Sequence, residues 1–218
     1  MTWSEVAFLV AGALLLLLWW VWVAASRLDR LHRKTATSRA ALDNQLVRRA
    51  SVAAELASSG LLDPVSSVLV GEAAWAAISA GGYGRTELLD AVPDLAGLVG
   101  AEPGPGATAD LSEGLLGQAD RDLAESELSR TVREALGDPG EVKVLRSIPL
   151  GVELIDGLAA AWYRVQLSRR FHNEAASQTQ RMRRKSLVRL LRLSGRAPMP
   201  RTVEIDDAWP EAFARQGE

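Results

Sequence analysis

The 218-residue chain contains no cysteine, which excludes a disulfide framework, a thiolate zinc site and a cysteine nucleophile. Packing alone must hold the fold. Lysine is also scarce: Lys34, Lys143 and Lys185 are the only ones, and arginine supplies the remaining basic charge. With abundant alanine and leucine, that bias fits a GC-rich bacterial genome. Histidine is limited to His32 and His172, far apart on expected helices and without the spacing of a metal pair, so both read as surface or packing residues. No segment shows the strict alternation of a strand. The glycines at 81, 82 and 84 have neither a preceding strand nor a following lysine with serine or threonine, so they read as a helix stop rather than a phosphate loop.

Long aliphatic runs are equally scarce after the first tenth of the chain, and that unevenness is informative. From Val6 to Ala25 all 20 residues are apolar or glycine. As a helix the run rises about 30 Å, the thickness of a bilayer's hydrocarbon core. Trp19, Trp20 and Trp22 near one end and Trp3 before the other are placed as interfacial anchors. No basic residue precedes the run, whereas Arg27, Arg30, Arg33, Lys34 and Arg39 follow it. The positive-inside rule then puts residues 1–5 outside and everything after Ser26 in the cytoplasm. The competing expectation is a cleaved secretory signal, for which Val23 and Ala25 offer small residues. The missing basic n-region and the long core argue against it.

Beyond the run the pattern is helical and the expected fold class is all-α. Leu28, Leu31, Thr35, Leu42, Leu46, Ala53 and Leu56 recur at spacings of three, four and seven, a coiled-coil-like seam that continues the spanning helix until Gly60. Asp63 and Pro64 start a second, alanine-rich helix carrying Val65, Val68, Leu69, Trp75 and Ile78, which stops at Gly81 and Gly82. A short helix is expected around Thr86 to Val92, then a proline and glycine loop from Glu102 to Gly106. A third long helix is expected from about Asp110 to Leu136, with Leu111, Leu115, Leu123, Leu128 and Val132 inward. A fourth starts between Glu141 and Gly151, delayed or kinked by Pro149, and runs to about Leu193. The expected architecture is a membrane helix continuing into an antiparallel bundle of about four helices over residues 26–196. Residues 197–218, acidic from Glu204 onward, are expected to form a mobile tail.

Three stretches carry a family resemblance. LDNQLVRR, with Asp43, Gln45, Arg48 and Arg49, resembles the IDVQLKRR-type stretch that follows the membrane helix in the LemA family. AESELS, with Glu125 and Glu127, is similar to that family's AENELS-type segment, and RRFHNEA, with Arg170, Phe171 and Asn173, to its RRFYNDAV-type segment. In this order they cover most of Leu28 to Arg184. The resemblance implies an antiparallel helical bundle anchored by its amino-terminal helix. The chain departs from the pattern twice. Val52, Ala53, Ala54 and Glu55 stand where the family has an isoleucine-proline-asparagine step, and a basic segment replaces the apolar, proline-containing continuation after the last motif.

That basic segment polarises the chain. Between Arg164 and Arg201 there are eleven basic residues against one acid, Glu174, while Glu102 to Glu141 holds ten acids against three arginines. Two readings stay open. Acidic and basic helices could pair across the bundle, each exposed pair contributing only ~0.2–1 kcal/mol. Alternatively, an up-and-down bundle returns the end of its last helix to the bilayer. Arg181, Arg183, Arg184, Lys185, Arg189 and Arg192 would then lie on the anionic inner leaflet, with Leu187, Val188, Leu190, Leu191 and Leu193 at the headgroup boundary. Nucleic acid is not an expected partner, since no aromatic interleaving accompanies these arginines and the chain is slightly acidic.

No constellation of nucleophile and base, metal ligands or cofactor motif is legible, and no small-molecule substrate is implied. Glu125 and Glu127 lie two apart and point to different sides of a helix. Asp43, Gln45, Arg49, Glu125, Arg170 and Asn173 are expected to make interhelical hydrogen bonds that fix register. The expected function is a non-catalytic, membrane-tethered scaffold of LemA type, acting through a protein partner or self-association. The alternatives are a dedicated accessory subunit of a membrane protease or envelope-building enzyme and, less favoured, an unrecognised hydrolase.

Overall fold

A computed structural model describes residues 3–81, 110–191, 193, 195 and 197–213, with the side chains of 5 and 110–116 excepted. The short helix expected near Thr86 to Val92, the loop from Glu102 to Gly106, Leu111, Leu115 and Arg192 lie outside that description. Among the described residues the molecule is all-helical. Its elements are α1 (Trp3–Ser58), α2 (Pro64–Ala80), α3 (Asp110–Ala135), α4 (Pro139–Leu145), α5 (Pro149–Arg183), α6 (Ser186–Leu190) and a 3₁₀ turn at Glu211–Phe213.

α1 is one unbroken helix of 56 residues, about 84 Å long. Its two halves have different surroundings. From Val6 to Val23 the aliphatic and tryptophan side chains are almost all exposed, whereas from Ala24 onward Leu28, Thr35, Leu42, Leu46, Ala53 and Leu56 are buried along one stripe. The seam read from the sequence is therefore the packed face. Among the described residues α1 is the one helix long and apolar enough to cross a membrane, a property that a signal sequence shares.

α1 ends before Gly60, whose φ of +72° is readily adopted only by a residue without a Cβ. α2 starts where Asp63 and Pro64 predict: the Asp63 carboxylate accepts from the backbone N–H of Val65 at 2.9 Å and of Ser66 at 3.2 Å. The face it buries differs from expectation. Val70, Ala73, Ala74 and Ala77 pack inward, while Val65, Val68, Leu69 and Trp75 are exposed. α2 is apolar nearly all round, so periodicity could not choose a face. The alanine side lets the backbone approach α1 and α3 closely. In α3, Leu128 and Val132 are buried as expected, but Leu123 is 68% exposed. Arg121 and Glu125 take the inward positions in that turn.

Asp138 caps α4 by accepting from the Gly140 N–H at 2.7 Å, and Pro149 opens α5 as its first residue. The corner between them requires Gly151: a Cβ there would sit 2.1 Å from the Leu145 carbonyl oxygen. α5 then runs antiparallel to α1 for 35 residues. Leu56 shares a core with Ile155, Leu46 with Val165, and Leu28 with Met182.

Residues 197–213 are not a mobile tail. They form a strap along α5 in which Val203, Ile205, Ala212 and Phe213 are buried. Strap and α5 touch from Arg183, which donates to the Ala197 carbonyl at 2.8 Å, to Trp162, whose Nε1–H donates to the Asp207 carbonyl at 3.0 Å. That stretch of helix is about 31 Å long. The residues from Ala197 to Asp207 run beside it without helix or strand.

Candidate functional site

Two places concentrate charge, and they differ in burial. The first is the end of the bundle beside the apolar half of α1. Because α5 is antiparallel to α1, its last turn reaches the level of Ala24 and Leu28. Met182 and Val188 pack there, with Leu31 and Leu193 against them. A single turn of α6 then leaves Leu187, Leu190 and Leu191 exposed, Leu190 by 77%. Around these leucines, Arg184, Lys185 and Arg189 are exposed and, among the described residues, have no ion pair or side-chain hydrogen bond. Arg27, Arg30 and Lys34 are exposed on the neighbouring turns of α1. Arg181 pairs with Glu174 at 3.3 Å, and Arg183 is spent on the strap carbonyls of Ala197 and Pro198. His32 lies half-buried nearby, and burial followed by the Arg183 charge holds its pKa below the usual imidazole range.

The second place is internal and gathers several motif residues. The Arg49 guanidinium, fully buried, donates to the Glu125 carboxylate at 2.7 Å, the Glu125 carbonyl at 3.0 Å and the Ser129 hydroxyl at 2.9 Å. Its carbon lies 4.7 Å over the Trp162 ring. α1, α3 and α5 thus meet at one cation. One turn closer to the apolar run, Asp43 Oδ1 lies 2.9 Å from Arg121 and 3.2 Å from Arg39. Both approaches have ion-pair distance without hydrogen-bond alignment, and the other Arg121 nitrogens are buried without a partner. Burial pushes the Glu125 carboxyl up against the pull of Arg49. It pushes Asp122 up to about 6, against the nearby Arg39 and Arg121.

The remaining motif residues disperse. Gln45 Oε1 is buried without a hydrogen-bond partner. Arg48, Arg170 and Phe171 are exposed, and Arg170 makes no interhelical bond. Its expected register role is therefore not realised. Glu127 is exposed and pairs with Arg130 in its own helix. Asn173 faces the strap rather than another helix: its amide donates to the Val203 carbonyl at 3.0 Å and accepts from the Val203 N–H at 2.8 Å. His172 is buried, with Nδ1 3.3 Å from the Ser38 hydroxyl and Nε2 3.1 Å from the Arg201 carbonyl. That is a packing role. Trp3, Trp19, Trp20 and Trp22 are all exposed on the apolar half of α1.

Sequence reasoning missed Arg121, Trp162 and Arg169 altogether, and it read Arg39 only as a flanking charge. An arginine four residues before Glu125 was the available signal for Arg121. Among the described residues no three His, Asp or Glu side chains are grouped to hold a metal ion. The arrangement defines an all-helical bundle built on one long apolar-tipped helix, with buried charge pairs inside and a basic, leucine-bearing end. No family model, curated protein or solved structure matches the chain.

Proposed function

We propose that the protein is a membrane-tethered, non-catalytic scaffold of LemA type, with its amino terminus outside and its bundle resting on the cytoplasmic face of the inner membrane. One observation carries this reading. The exposed leucines of α6 and the unpaired Arg184, Lys185 and Arg189 stand at the same level as Ala24, where α1 passes from exposed apolar surface into the bundle. A bilayer crossed by Val6 to Val23 meets that end first. Leucines dipping into the headgroup boundary and cations on anionic lipid are how an amphipathic segment lies on a membrane. The alternative pairing of acidic with basic helices is less favoured here, because among the described residues these three cations have no acidic neighbour within ion-pair distance.

Each basic residue near an anionic leaflet contributes about 1 kcal/mol, so three contribute roughly 3 kcal/mol, about a hundredfold in partitioning. Protein lacking residues 1–23 should therefore sediment with vesicles containing anionic lipid and remain in solution with zwitterionic ones. Replacing Arg184, Lys185 and Arg189 together by glutamine should reduce that binding by one to two orders of magnitude. Equal binding by both forms would remove the membrane-contact reading.

A further inference from the structure

The strap is held chiefly by side chains of α5 bonded to its main chain. Asn173 takes both the N–H and the carbonyl of Val203. Gln180 donates to the Pro200 carbonyl at 2.8 Å, and Gln166 joins Trp162 in donating to the Asp207 carbonyl, at 2.7 Å. Such bonds are indifferent to the side chains of whatever lies in the groove. Selectivity enters at few points. Val203 and Ile205, two apart and so on one side of an extended chain, are buried with Leu42, Leu46 and Val165. The next residues are acidic: Asp206 pairs with Arg133, and Asp207 meets Arg169 in a fork, at 2.8 and 2.9 Å.

The groove thus presents main-chain clamps along one wall, an apolar slot and two arginines, Arg133 from α3 and Arg169 from α5. We propose that the groove along α5 is a binding site for an extended peptide segment of the pattern apolar-x-apolar-acidic-acidic, and that residues 197–213 occupy it as a tethered placeholder that a partner's segment displaces. The inference rests on the scaffold reading and gives it a ligand class. It does not require the membrane contact. Covalent attachment to the bundle gives the strap an effective concentration of roughly millimolar, so a displacing peptide binds the intact chain more weakly than a severed one.

The test uses the full chain in detergent, without a bilayer, so its outcome is independent of the vesicle experiment. A protease site is placed between Leu191 and Ala197, and a fluorescent peptide spanning residues 197–213 is added before and after cleavage. Saturable binding is expected in both cases, at least tenfold tighter after cleavage. A peptide with every position changed except Val203, Ile205, Asp206, Asp207, Ala212 and Phe213 should compete within a fewfold of the native peptide, the last two being kept because they are buried against the core beside Trp162. Changing the peptide's Asp207→Ala or Val203→Ser should weaken it at least tenfold, and neither change touches the folding of the receptor. Asn173→Ala should leave the apparent affinity in the intact chain nearly unchanged, because strap and peptide lose the same clamp, and should weaken every peptide alike in a chain truncated after Leu191, with an unchanged circular dichroism spectrum. If the intact chain takes up no peptide, or the cleaved strap stays bound and never exchanges, the strap is a fixed part of the fold and the proposal fails. It fails equally if a scrambled peptide binds as well as the native one.

Discussion

Two groups of basic side chains in this bundle have opposite surroundings. Arg39, Arg49 and Arg121 are buried between α1, α3 and α5, against Asp43 and Glu125. Arg184, Lys185 and Arg189 project from the end of the bundle, unpaired among the described residues. A buried ion pair contributes little over a well-packed apolar substitute, but removing one partner strands the other in a low dielectric. An exposed unpaired cation contributes almost nothing to stability and is available to something outside the protein. The inner group therefore ties the helices in register, while the outer group is free for a surface role.

That contrast is most sharply broken from the inside. Arg49→Leu strands the Glu125 carboxylate and is expected to cost about 3–5 kcal/mol in a guanidinium titration. The double change with Glu125→Leu should recover most of the loss, whereas an equal loss in the double change would mean that Arg49 acts mainly through Trp162. The next effect is steric. Gly151→Ala drives a Cβ into the Leu145 carbonyl and should cost about 1–3 kcal/mol, read by the same titration.

A smaller effect comes with pH. Asp122 has a folded pKa of about 6 against an ordinary 3.8, chiefly from burial. The folded state thus holds this proton at a pH where the unfolded chain has released it. Stability from this group is highest below about pH 4, falls as pH rises to about 6, and is flat above. Because the carboxyl is only partly buried, solvent screening reduces its contribution to roughly 1 kcal/mol. Asp122→Asn should be more stable than the parent at pH 7, and the parent's stability relative to it should fall from pH 4 to 6; a difference that stays flat or rises over that range would contradict the assignment. The smallest effect belongs to the outer group. Glutamine at Arg184, Lys185 and Arg189 should change stability by less than about 0.5 kcal/mol while weakening vesicle binding strongly, and a large stability loss would place these residues with the inner group instead.

Local signals were legible in the sequence and distant ones were not. The Asp63 and Pro64 start of α2 and the Leu28 to Leu56 seam depend on neighbours within one or two turns, and both stand as read. The antiparallel return of α5 was implied by the family resemblance and by an up-and-down order of the helices. The buried face of α2 was not legible, because alanines compete with valines, a leucine and a tryptophan of equal periodicity, and close backbone approach favours the alanines. Leu123 lost its inward place to Arg121 and Glu125, a choice made by partners on α1 that lie about 80 residues earlier. The strap was the largest omission. It has neither helical period nor composition to mark it, and its hold comes from Asn173, Gln166 and Arg169, whose partners lie 30 to 41 residues further along the chain.

The absence of cysteine makes the central claim directly measurable, since a single introduced thiol is unique. Spin labels at Leu190→Cys, at Val23→Cys and at Val144→Cys near the far end of the bundle would be compared in proteoliposomes of anionic lipid by accessibility to oxygen and to a water-soluble nickel chelate. The account predicts that the label at 190 behaves like the one at 23, open to oxygen and shielded from nickel. A label at 190 as open to nickel as the one at 144 would contradict it.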